Sequence, residues 1–87
     1  MFTVFRIGRT LSMIPLSSVK QGKKCKIIAI ENNLIRSRLL EMGFVPNCEV
    51  EVIRHAPLND PIEYRVDDFF VGLRKAEASF IFVELLN

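Results

Sequence analysis

An 87-residue chain that is 49% apolar and 25% charged reads as one globular domain, too small to surround a deep, multi-residue active site. Twelve Lys and Arg against ten Asp and Glu leave a net charge of +2, too small to argue for nucleic-acid binding by charge alone. Two cysteines, Cys25 and Cys48, without CxxC spacing exclude a disulfide framework and fit a reduced, cytoplasmic protein.

Residues 1–12 show no clear period and are read as an N-terminal extension, either disordered or the product of an upstream start. Residues 13–87 form the compact domain. The longest charge-free stretch, residues 10–19, is ten residues long and holds Pro15. A bilayer span needs about 20 apolar residues, so no membrane span is expected. No secretory signal is read in the first residues either.

After Pro15, Leu16 to Val19 predicts one short helical turn, and Lys20-Gln21-Gly22 a turn with Gly22 at positive φ. Residues 23–30 predict a strand from their β-branched density, with Cys25, Ile27 and Ala29 on one face and Lys24, Lys26, Ile28 and Ile30 on the other. A helix follows. Asn32 or Asn33 caps it, Ile35, Leu39 and Met42 form its apolar stripe, and Gly43 closes it. Phe44 returns the chain to the core, and Pro46-Asn47 suits a turn.

From Cys48 the period changes to two: Cys48, Val50 and Val52 alternate with Glu49 and Glu51. Residues 56–61 predict a loop between Pro57 and Pro61. Ile62, Tyr64 and Val66 predict a second alternating strand, Asp67-Asp68 its hairpin turn, and residues 69–73 the return strand. Residues 74–79 predict a helical turn and residues 80–84 a last strand. The fold class is mainly β: a small, partly open barrel of about five strands with an inserted helix. Residues 1–38 carry eight basic side chains and one acid, residues 39–87 four basic and nine acidic. The split reads either as a bipolar docking surface or, the favoured reading, as one that cancels once strands from both halves interleave.

Two segments carry a specific resemblance. Arg38-Leu39-Leu40-Glu41-Met42-Gly43-Phe44-Val45-Pro46, paired with Ala56-Pro57-Leu58-Asn59-Asp60-Pro61-Ile62, resembles the FeoA family of ferrous iron transport proteins. Leu16 to Gly22, Ile27 to Ile30, Val50 to His55 and Leu73 to Ala78 extend the match over Met13 to Leu85. The resemblance implies an SH3-like barrel that is cytoplasmic and assists the membrane permease FeoB, whose GTP-binding domain faces the cytosol. Related domains end iron-dependent repressors, so the fold alone leaves the role open. The chain departs from the family at Asn47, Asn59 and Asp67-Asp68, where Gly is common, and at Phe82, where a polar residue is frequent.

No enzyme is read here. His55 is the single His, and Asp60 and Glu63 near it build no acid–base set. The four Gly are scattered and cradle no phosphate. Cys25, Cys48, His55, Asp60 and Glu63 lack ligand spacing, so Fe(II) binding is unsupported and no cofactor is assigned. Lys20, Lys23, Lys24 and Lys26 have no interleaved aromatics and read as a solvated strand edge, not a nucleic-acid surface.

Partner binding is the favoured function. On the last strand Ile81 and Val83 would point inward and Phe80 and Phe82 outward, beside Leu34 and Leu40 off the helix stripe and Arg38 at the rim. The expected contact surface is therefore Leu34, Arg38, Leu40, Phe80 and Phe82, docking on the cytoplasmic part of FeoB and modulating uptake. The alternatives are a metal-responsive domain of the repressor type and a small RNA-binding barrel. Open strand edges also admit self-association.

Overall fold

Alternating apolar and polar side chains become strand pairing through most of the chain. The computed structural model describes residues 2–6 and 9–86. Its strands are β1 (Phe2–Arg6), β2 (Arg9–Pro15), β3 (Lys24–Ile30), β4 (Glu49–His55), β5 (Ile62–Val66), β6 (Phe69–Leu73) and β7 (Ile81–Leu85). Helix α1 (Asn33–Glu41) sits between β3 and β4, and the single turn α2 (Lys75–Ala78) between β6 and β7. Every pairing is antiparallel, in the order β1-β2-β7-β3-β4-β5-β6.

The last strand in sequence thus lies near the middle of the sheet, flanked by β2 and β3. The basic β3 is paired on both sides with acidic neighbours: Lys24 faces Glu51, and Lys26 faces Glu49 and Glu84. The charge split of the two halves cancels there. The lysines do not guard an edge, because β3 is a central strand.

Local chemistry sets the turns. Ser18 Oγ donates to the Pro15 carbonyl at 2.7 Å across the 3-10 turn Leu16–Ser18. Gly22 takes φ 86° and donates its N–H to the Val52 carbonyl at 2.7 Å. Asn32 Oδ1 caps α1 by accepting from Leu34 N at 2.8 Å. At the other end Phe44 N–H reaches the Leu39 carbonyl at 3.0 Å and Gly43 N–H the Leu40 carbonyl at 3.1 Å. That is the Schellman arrangement, and it requires the left-handed φ of 102° at Gly43. Asn47 and Asp67 also take positive φ, 71° and 53°, which short polar side chains tolerate. In the loop before β5 the left-handed residue is Leu58, φ 69°, beside the cis Asp60–Pro61 bond.

One core serves the whole domain. Cys25 and Ile27 from β3, Val50 and Val52 from β4, Ile62, Tyr64 and Val66 from β5, and Ile81 and Val83 from β7 are buried together with Leu16, Leu39 and Phe44. Phe44 and Tyr64 meet edge to face, ring centroids 6.2 Å apart. A register shift between Ile27 and Ala29 changes which residues of β3 face inward. Ile30 is buried although the simple alternation puts it with Lys24 and Lys26.

Candidate functional site

The five expected contact residues do not form one surface. Leu34, the second residue of α1, is 94% exposed, and Phe80, just before β7, is 38% exposed. The N–H of Glu31 donates to the Phe80 carbonyl at 2.9 Å, tying the approach to α1 to the approach to β7. This bond holds the two exposed apolar residues at neighbouring chain segments.

Phe82 corrects the expectation: it is buried, with 7% of its surface exposed. An outward position on β7 is not an open one here; β7 is a central strand, with Pro15 of β2 and Ala29 of β3 paired on either side of Phe82. Leu40 is half-buried against the core beside Ile35 and Met42. The inward arc of α1 is wider than its three-residue stripe, as for a surface helix laid on a sheet.

Arg38 has a partner within the domain. Its guanidinium pairs with the carboxylate of Glu77 on α2, while Glu77 Oε1 accepts from the Arg74 N–H at 3.1 Å. Glu77 therefore joins α1 to the start of α2. Arg36 donates from Nη1 to the Ile30 carbonyl at 3.0 Å and fastens α1 to the end of β3.

The chemistry-bearing side chains are dispersed. Asp60 Oδ1 accepts from the Lys75 N–H at 2.9 Å and Glu63 pairs with Arg54 at 3.4 Å, so neither carboxylate is aligned on His55. Burial pushes the Cys25 thiol up to about 12, and it donates weakly to the Val50 carbonyl at 3.5 Å. Cys48 is raised by burial first, then by the carboxylates of Asp67 and Glu49. Both remain protonated thiols near neutrality, which are weak nucleophiles and weak ligands. Among the described residues no three His, Cys, Asp or Glu side chains gather around one point.

A shallow cleft of about 420 Å³ lies beside Cys48, lined by Lys24, Glu49, Glu51, Arg65 and Asp67 among others. The pair Arg65–Glu51, at 3.0 Å, neutralises much of it. No helix among the described residues is long and apolar enough to cross a membrane.

Two exposed aromatics escape the sequence reading: Phe69 and Phe70 on β6, 67% and 63% exposed. Adjacent residues of a strand face opposite sides, so two neighbouring Phe cannot both enter one core. That adjacency is the signal available in the sequence.

The arrangement of strands, capped helix and turns has known counterparts. The FeoA domain family matches residues 14–85. A fusion of Fe(2+) transport protein A with the Fe(2+) transporter FeoB from Porphyromonas gingivalis is 41% identical over 73 residues, 83% of this chain, which spans 9% of that relative's length. The solution structure of a FeoA-like protein from Clostridium acetobutylicum superposes with a TM-score of 0.82 at 36% identity, covering 86% of this chain and 88% of that one. The crystal structure of Stenotrophomonas maltophilia FeoA complexed with zinc, a prokaryotic SH3-domain protein, gives a TM-score of 0.70 at 27% identity over 79% of this chain and 87% of that one. With both segments of the motif inside the matched range and the same SH3-like fold around them, this chain belongs to the FeoA domain family.

Proposed function

We propose that the domain is a non-enzymatic accessory of ferrous iron uptake, cytoplasmic, docking on the cytoplasmic part of a FeoB-type permease and modulating transport. The observation that carries the reading is that Leu34 and Phe80 are exposed apolar side chains on chain segments that the Glu31–Phe80 hydrogen bond ties together. A leucine left 94% in water on a nine-residue helix gains free energy only by being covered. A relative in which the same domain and the transporter share one chain supports the choice of partner.

Leu40 is half-buried against the core and Phe82 is buried in the sheet, so neither belongs to the exposed surface. Arg38 rims it while holding Glu77. The domain carries out no bond-making step and holds no resident metal in this reading; the iron is the permease's cargo. Pull-down of the permease's cytoplasmic part by the domain tests it, with Leu34→Glu and Phe80→Glu as surface variants. Binding that is lost in both, with the fold unchanged, supports the reading, and unaltered binding contradicts it.

A further inference from the structure

The outer edge of β6 carries a sequence complementary to its own reverse. β6 ends the strand order, with β5 on one side and, among the described residues, no strand on the other. Outward from Val71 come Phe70 and Gly72, then Phe69 and Leu73, then Asp68 and Arg74, then Asp67 and Lys75. The four charged residues are all exposed, acidic at one end and basic at the other.

The hydrogen-bonding phase agrees with that symmetry. Val66 and Phe69 flank the two-residue loop Asp67-Asp68, so they exchange the hydrogen bonds that close the hairpin. By alternation Val71 and Leu73 also bond towards β5, and the N–H and carbonyl groups of Phe70 and Gly72 point away from it.

We infer that a second copy of this chain adds to this edge, antiparallel, about a two-fold axis at Val71. The N–H of Phe70 donates to the carbonyl of the partner's Gly72, whose N–H donates back to the Phe70 carbonyl, and the axis repeats both bonds. The Phe70 ring lies over the partner's Gly72, where a Cβ would meet nothing within 4 Å. On the other face Val71 meets its own copy, and Phe69 approaches the partner's Leu73.

Charge selects this occupant. Arg74, with φ −63° and ψ 146°, continues the extended backbone one residue past β6, so its charge stands at the strand end nearest the partner's Asp68, a turn residue. Asp67 and the partner's Lys75 add attraction where both chains leave the strand. Residues 69–73 contain no Pro, charge or register shift of the kind that keeps a sheet edge single. The interface is isologous and closes at two copies. It uses neither Leu34 nor Phe80, so it stands apart from permease docking.

Sedimentation velocity of the full chain, from micromolar to millimolar concentration, tests it together with amide exchange at Phe70 and Gly72. Wild type is expected to pass from monomer to dimer, and both amides to slow in exchange as concentration rises. Asp68→Lys is expected to weaken the dimer roughly tenfold, and Asp68→Lys with Arg74→Glu to restore it. Gly72→Pro removes an outward N–H without removing a bond to β5, and is expected to stay monomeric with an unchanged circular dichroism spectrum. A wild-type chain that stays monomeric throughout, or an Asp68→Lys variant that dimerises like wild type, overturns the inference. So does amide exchange at Phe70 and Gly72 that is independent of concentration.

Discussion

Arg38 on α1 and Glu77 on α2 form an ion pair, and the same Glu77 carboxylate accepts the Arg74 N–H. One side chain thus caps α2 and anchors α1. The Arg38 side chain is 58% exposed, so solvent screens the pair. Arg38→Ala is expected to cost only about 0.5 kcal/mol by urea denaturation, and Glu77→Ala about 1 kcal/mol or more because the cap is lost as well. Equal costs for the two variants would place the stabilisation in the ion pair alone.

Gly43 cannot be replaced without strain. Its φ is 102°, and a Cβ there would stand 3.3 Å from Val66 Cγ1. Gly43→Ala is expected to destabilise by about 1–2 kcal/mol, with the helix cap loosened. Urea denaturation reads the loss directly. A variant as stable as wild type would mean that the cap relaxes to negative φ.

Phe82 and Leu34, expected to share one contact surface, should respond differently. Phe82→Ala opens a hole in the middle of the sheet and is expected to cost about 3–5 kcal/mol. Leu34→Ala touches a 94% exposed side chain and should change stability by no more than about 0.5 kcal/mol. Thermal melts of the two variants give the comparison.

Much of the fold was legible because it is local. The Asn32 cap, the Gly43 stop and the alternation in β4 and β5 each depend on residues within a few positions of one another. The position of β7 was not. Phe82 is buried on a strand flanked by Pro15 and Ala29, both remote in sequence, and no period reveals which strands flank another. The β3 bulge likewise moved Ile30 inward, a change of phase that an alternating pattern hides. Of the candidate site, Leu34 and Phe80 followed from position off the helix stripe and at a strand start. The engagement of Arg36 and Arg38 depends on the Ile30 carbonyl and on Glu77, which only the folded chain brings near.

Alkaline pH should unfold the domain through its buried acids. Burial raises Cys25 from 9.0 to about 12, and it raises Tyr64 too, with Cys25 adding to the effect. A raised folded value means that the proton stabilises the fold. That stability is full below the unfolded value and is lost as pH climbs from about 9 towards the folded value. Cys25 alone is expected to contribute a loss of about 1 kcal/mol near pH 10. Melting temperature followed against pH should fall in this window, and fall less in Cys25→Ala. A flat profile would mean that Cys25 is hydrated.

Whether the domain works by touching a larger partner is decided by one comparison. Wild type and the double variant Leu34→Glu/Phe80→Glu are each tested for co-purification with the cytoplasmic part of the FeoB-type permease, after circular dichroism shows that both are folded. The expected result is capture by wild type and at least about tenfold weaker capture by the variant. Equal capture by both, or none by wild type, would contradict the account.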